Sequence, residues 1–190
     1  MNINLQNNLK VNNFAEIIEV QVLRKVTYYS VALNNEEALY DQFINKHTDE
    51  NKEKLNHILA WLKKIGKNIG AYENYFRNEA NTGDARALPP KGKDRAPVYV
   101  EYSETTKNDE NKPNDLRLYC FRASESVVFL FNGDIKTKRY AQDCDNVKKH
   151  FKTANLISKL IDEAIINKDI RWNSDWSNII VDDSFILQWD

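Results

Sequence analysis

The sequence predicts an α+β domain, in which a strand region and a helical hairpin precede a short strand, a strand pair and a closing helix. Three observations carry this prediction. Segments 17–33 and 116–131 are rich in Val, Ile, Tyr and Phe in strand-like runs. Residues 39–65 carry apolar side chains at helical spacing, and that spacing returns at 154–164, after the second strand region. No linker long enough to separate two cores interrupts this order, so residues 17–166 are expected to form one compact domain.

Residues 1–16 are rich in Asn and show no sustained period, which suits a flexible N-terminal extension. In "IIEVQVLRKVTYYSVALNNEE" two alternating β-branched and aromatic stretches flank Arg24 and Lys25 and end at Asn34 and Asn35, a hairpin or one bent strand. Leu39, Phe43 and Ile44 then form one helical stripe, and Leu55, Ile58, Leu59, Leu62 and Ile65 form another before Gly66 and Gly70. "HTDENKE" is the expected turn between them. Residues 71–90 read as an irregular link into a short strand, with Pro89 and Pro90 as a stop. Residues 91–115 read as a charged insertion in which only "PVYVEY" has strand character, and 103–115 is expected to be mobile for want of an apolar anchor. Leu116–Phe121 and Val127–Phe131 are expected strands joined around "ASES". Ala154, Ile157, Leu160, Ile161 and Ala164 mark a helix that should lie on the sheet. Residues 167–190 form a C-terminal β extension, expected to be a hairpin about the Asp182-Asp183 turn, with Trp172, Trp176 and Trp189 plugging apolar surface.

Lys and Arg total 27 against 28 Asp and Glu, so the net charge of -1 gives no global argument for nucleic acid or membrane. Partners must be argued locally. No apolar stretch approaches the roughly 20 residues of a membrane span, and "MNINLQNNLKVNN" lacks the basic and apolar regions of a signal peptide, so a cytoplasmic protein is expected. Cys120 and Cys144 have no CxxC partner or nearby His and are read as ordinary reduced thiols, with no metal or cofactor expected.

The order of elements resembles the RelE/ParE superfamily of bacterial toxins, and more closely its HigB-like branch. The likeness rests on "VTYYSVAL", on "HILAWLKKIG" before "YFRNEAN", and above all on "LRLYCFR", "VVFLFNGDIKTK" and "FKTANLISKLIDEAI". It implies a small α+β domain with a helical hairpin against a mostly antiparallel, curved sheet. In nuclease members it also implies metal-independent, ribosome-assisted cleavage of mRNA. The expected partners are then an antitoxin protein, the ribosome and mRNA, with no membrane.

Attack of a ribose 2′-hydroxyl on the adjacent phosphate builds charge on phosphate oxygens and on the leaving 5′-oxygen, and fixed cations answer that need. Arg can hold two phosphate oxygens at once, whereas Lys serves as a point charge or a proton carrier. Alternation along a strand sends Arg117 to the same side as Tyr119 and Phe121, and Arg122 to the other. The resemblance matches its strand arginine to Arg117, its basic exit region to Lys136 and Lys138, and a further arginine to Arg77 or Arg86. These are the candidate catalytic residues; Arg122, Arg139 and Tyr119 are candidate contacts to nucleic acid. Against this stands the plainer reading that the cations are a solvated rim and that Tyr119 and Phe121 are core. Lys63-Lys64 and Lys148-Lys149 read as helix-surface charge. His47 in a turn, His57 inside a helix and His150 before the last helix have no partner spacing and read as surface or packing residues.

Two functions follow from different classes. One is a toxin-like endoribonuclease held inactive by an antitoxin. The other is a non-catalytic domain of the same fold that binds a protein partner, which the near-neutral charge, the insertion and the aromatic C-terminal segment favour.

Overall fold

The computed structural model describes residues 13–79, 83–91 and 114–189. The fold is α+β: a six-stranded, mostly antiparallel sheet lies between a helical hairpin on one face and a single long helix on the other. Strand β1 (Asn13–Val22) turns back into β2 (Thr27–Leu33). Helices α1 (Leu39–Glu50) and α2 (Lys52–Lys64) follow, and α2 runs on into a π-helical turn at Ile65–Ile69. A short 3-10 turn precedes β3 (Arg86–Leu88), then come β4 (Leu116–Arg122) and β5 (Val127–Ile135). Helix α3 (Asp145–Ile166) and three short strands, β6 (Ile170–Trp172), β7 (Ile179–Val181) and β8 (Leu187–Trp189), complete the chain.

The strand order is β3-β4-β5-β2-β1-β8, and among the described residues only β2 and β5 run parallel. That parallel pair is a consequence of connectivity. Once α1 and α2 carry the chain away from β2, the tight β4-β5 hairpin can set its second strand beside β2, and the long excursion between them permits a parallel alignment.

Period-two alternation builds a core on each face. From β4 and β5, Leu116, Leu118, Cys120, Val128 and Leu130 pack toward Phe43, Ile58, Trp61 and Ile65 of the helical hairpin and the turn after it. Tyr119, Phe121, Val127, Phe129 and Phe131 pack toward Val147, Phe151, Ala154, Ile157 and Ile161 of α3. Both faces of the central strands are covered, which is why these strands read as continuous apolar runs. Each large side chain that is fully buried contributes about 1.5–3 kcal/mol by leaving water.

Several boundaries differ from the sequence expectation. β1 begins at Asn13, so residues 13–16 belong to the sheet; Ala15 is fully buried and Asn34 Oδ1 caps Phe14 N at 3.0 Å. The expected turn "HTDENKE" is mostly helical, because α1 continues to Glu50 and only Asn51 separates it from α2. α3 starts at Asp145, ahead of its first predicted apolar marker, with Val147 and Phe151 extending the same stripe. The strand candidate "PVYVEY" and residues 103–113 lie outside the described residues. Asn114, by contrast, is anchored: its Nδ2 donates to Lys54 O at 2.9 Å and its Oδ1 accepts from Leu116 N at 2.9 Å.

The C-terminal segment does not form a hairpin about Asp182-Asp183. β7 pairs with β6 across the loop 173–178, while β8 crosses to the edge of the main sheet beside β1. Apolar burial explains the split, since Ile170, Ile179 and Leu187 all reach the α3-side core from different strands. Of the expected aromatic plug, Trp172 and Trp189 are partly buried there, but Trp176 is 68% exposed and stacks on Trp172 at 6.1 Å.

Candidate functional site

The candidate cations separate into distinct groups in space. Arg77, Arg117 and Lys136 come together; Arg86 and Arg122 do not join them, and Lys138 and Arg139 are exposed on the turn after β5.

β4 fixes the position of Arg117. Leu116 and Leu118 are committed to the helical-hairpin core, so alternation sends Arg117 to the opposite side with Tyr119. β5 carries a bulge in which Phe131 and Asn132 stand opposite Tyr119 alone, because Leu118 pairs with Gly133 and Cys120 with Leu130. The bulge brings the backbones unusually close. A Cβ on Gly133 would lie 1.7 Å from Arg117 O, so only glycine fits there. Just beyond the strand, Lys136 is tied back to the other side of the hairpin by Lys136 N donating to Asp115 O at 2.8 Å.

Arg77 reaches the site from the sheet edge. It forms a two-way backbone bridge with Ala87 of β3, Arg77 N to Ala87 O at 2.9 Å and Ala87 N to Arg77 O at 3.0 Å. An extended chain there puts Arg77 and Glu79, two residues apart, on one side. Glu79 is the centre of the cluster. Its Oε1 accepts from Arg117 Nε at 2.9 Å and lies 3.7 Å from Arg77 Nη1, while its Oε2 accepts from Lys136 Nζ. Arg117 Nη1 also donates to Asn114 O at 2.6 Å and to Leu116 O at 3.1 Å, and Arg77 Nη2 donates to Pro90 O at 3.4 Å. The four side chains are 9%, 2%, 9% and 10% exposed for Arg77, Glu79, Arg117 and Lys136. Such burial of charge is tolerated only with this degree of pairing and hydrogen bonding.

The expected rim of solvated cations is therefore corrected at these positions, which are buried and charge-paired. Tyr119 is likewise not a surface platform for bases. It is fully buried, 5.5 Å from Phe151 of α3, and it is α3 rather than the C-terminal segment that covers it. Burial, with the Glu79 charge adding to it, pushes the Tyr119 phenol far above its ordinary pKa. Its hydroxyl has no hydrogen-bond partner among the described residues.

Arg86 pairs in register with Cys120 and Arg122 with Val128, residues of the helical-hairpin core, so both arginines belong to the face opposite Arg117. Arg86 instead donates to Gly83 O at 3.1 Å. Lys138 stays exposed, and the Arg139 guanidinium sits 5.3 Å from the Tyr140 ring.

Beside the cluster, Cys144 Sγ accepts from Thr137 N at 3.3 Å at the start of α3. Burial raises its pKa, but hydrogen bonds from Thr137, Val147 and Lys138 outweigh this and bring it down to about 7. Cys120, wholly buried in apolar surroundings, is pushed up instead. Two of the histidines, His47 and His150, also sit elsewhere than expected, whereas His57 lies inside a helix as expected. His47 lies within α1 and is fully buried, with Nε2 facing Gly133 O at 3.5 Å, and burial lowers its pKa. His57 is buried in α2, where its Nε2 accepts from Trp61 Nε1 at 3.1 Å. His150 is part of α3 rather than ahead of it, and burial lowers its pKa to about 4.

Sequence reasoning missed Glu79. The available signal was the Arg-x-Glu spacing of Arg77 and Glu79, which places both on one side of an extended chain, but no apolar alternation marks 71–79 as extended. No protein-family model matches this chain, no curated protein matches it, and no solved structure matches its fold. No group of three or more His, Cys, Asp and Glu suited to a metal occurs among the described residues, and no helix there is long and apolar enough to cross a membrane.

Proposed function

We propose that this protein is a toxin-like, metal-independent endoribonuclease of RelE/HigB type, with the cluster around Glu79 as its phosphate-binding site. One observation carries the reading. Cations at positions 77, 117 and 136, far apart in sequence, meet at a single point, where a dispersed rim would keep them apart. A helical hairpin packed against a mostly antiparallel sheet also agrees with the resemblance. In this reading Arg77 and Arg117 hold the non-bridging oxygens of the scissile phosphate as the ribose 2′-hydroxyl attacks and loses its proton to solvent, and Lys136 gives a proton to the leaving 5′-oxygen as the P–O5′ bond breaks. Lys138 and Arg139 lie outside the cluster and contribute attraction along the RNA backbone.

The experiment is induced expression together with incubation in a translating extract. Growth arrest and cut mRNA are expected from the wild type. Lys136→Met should reduce cleavage by about a hundredfold to a thousandfold, as for loss of one preorganised charge contact, and Lys138→Ala far less. Harmless expression and intact mRNA would refute it.

A second reading is favoured by a specific observation: the three cations are already paired with a carboxylate and are at most 10% exposed. In that reading the cluster is structural and the protein is a non-catalytic domain that binds a protein partner. An antitoxin encoded by a neighbouring short reading frame fits the first reading. A partner that binds without suppressing any toxicity fits the second.

A further inference from the structure

The carboxylate of Glu79 occupies the place that an oxyanion would take among Arg77, Arg117 and Lys136. Both of its oxygens are used, Oε1 by the two arginines and Oε2 by the lysine. A donor nearby remains unused. The Tyr119 hydroxyl is buried without a hydrogen-bond partner among the described residues, and Tyr119 stands two residues from Arg117 on the same side of β4. A buried donor left unmade is costly, and native structures rarely keep one without a reason. The two oxygens of the planar carboxylate leave the Tyr119 hydroxyl unpaired, whereas the four oxygens of inorganic phosphate, spread tetrahedrally, are enough for two guanidinium groups, one ammonium and one phenol.

We propose that Glu79 is a resident ligand of a phosphate site, and that this site takes a phosphate group only when the Glu79 carboxylate is withdrawn from it. The inference rests on reading the cluster as phosphate-binding. It adds that the site is held closed from within the chain and that Tyr119 is its fourth donor. Competition for the same cations is the physical basis: Glu79 is tethered and faces them at high effective concentration, so a free anion of similar charge is outcompeted. Removing the carboxylate removes the competitor that the three cations share among the described residues.

The test is titration of purified full-length protein with inorganic phosphate, read by calorimetry and by the shift of the melting temperature against chloride at equal ionic strength. Glu79→Gln is expected to bind phosphate at least about tenfold more tightly than the wild type, a difference of about 1.4 kcal/mol, and to be stabilised by phosphate but not by chloride. Adding Tyr119→Phe to Glu79→Gln should weaken phosphate binding several-fold. Should Glu79→Gln fail to fold, Glu79→Gln/Arg77→Gln removes a cation along with the carboxylate; it is expected to bind phosphate more tightly than the wild type. Equal binding by wild type and variant, or no saturable binding by either variant, overturns the proposal. The same proteins are assayed for RNA cleavage. If Glu79→Gln binds phosphate and no form cuts RNA, the anion site stands and the nuclease reading fails. If the wild type cuts RNA while Glu79→Gln gains no phosphate affinity, the nuclease reading stands and this proposal falls.

Discussion

Arg117→Met replaces the cation at the heart of the cluster while keeping most of the side chain's apolar stem. A solvated rim arginine would change stability by less than about 0.5 kcal/mol. The structure assigns a much larger cost. Arg117 Nε donates to a Glu79 carboxylate that is 2% exposed, at 2.9 Å, and Nη1 satisfies the carbonyls of Asn114 and Leu116 at 2.6 and 3.1 Å. Methionine leaves Glu79 with two cations in place of three and strips those carbonyls of a donor. Breaking one partner of a buried pair costs about 3–5 kcal/mol; Lys136 and Arg77 still hold the carboxylate, so the lower half of that range is expected, about 3 kcal/mol. For a domain of this size that lowers the melting temperature by roughly 6–12 °C. Urea denaturation should show a lower midpoint at unchanged slope. The double-mutant cycle with Glu79→Gln should give a coupling of about 1.5 kcal/mol or more, because the second change removes the charge that the first left under-paired. A loss below about 0.5 kcal/mol with no coupling would refute the buried-cluster argument. The outcome also bears on function, since activity lost in Arg117→Met can be read as chemistry only at temperatures where the variant is folded.

Gly133→Ala forces a methyl to within 1.7 Å of Arg117 O, which no rotamer change can relieve, so a loss of about 3–5 kcal/mol is expected in the same denaturation assay. Tyr119→Phe removes a hydroxyl that has no partner among the described residues, so stability should change by less than about 0.5 kcal/mol or rise, whereas a loss above about 1.5 kcal/mol would reveal an unseen hydrogen bond. His150 carries a pKa lowered to about 4 from 6.5 by burial, with Lys149 adding to it, so the unfolded chain binds a proton that the folded chain refuses. Its contribution is therefore present above pH 6.5 and is lost as pH falls from 6.5 toward 4. Partial solvent access reduces the effect to about 1–2 kcal/mol. His150→Gln should flatten the stability profile across that window, and an unchanged profile would show that His150 does not titrate there.

The α+β class, the helical hairpin, the β4-β5 strand pair and α3 were legible in the sequence because each is set by local apolar periodicity, which the covered faces of the sheet require. So was the side of β4 on which Arg117 lies, since alternation follows from backbone geometry alone. What tertiary structure decided was pairing. Nothing local says that β8 leaves its sequence neighbour β7 for β1, or that β2 lies parallel to β5; these follow from which apolar residues can reach a common core. The partnership of Glu79 with Arg77, Arg117 and Lys136 is of the same kind. A sequence gives charges and their spacing along the chain, but ion pairing depends on distance in space and on exclusion of water, and both are set only when the edge bridge of Arg77, the bulge opposite Tyr119 and the turn after β5 close on one point.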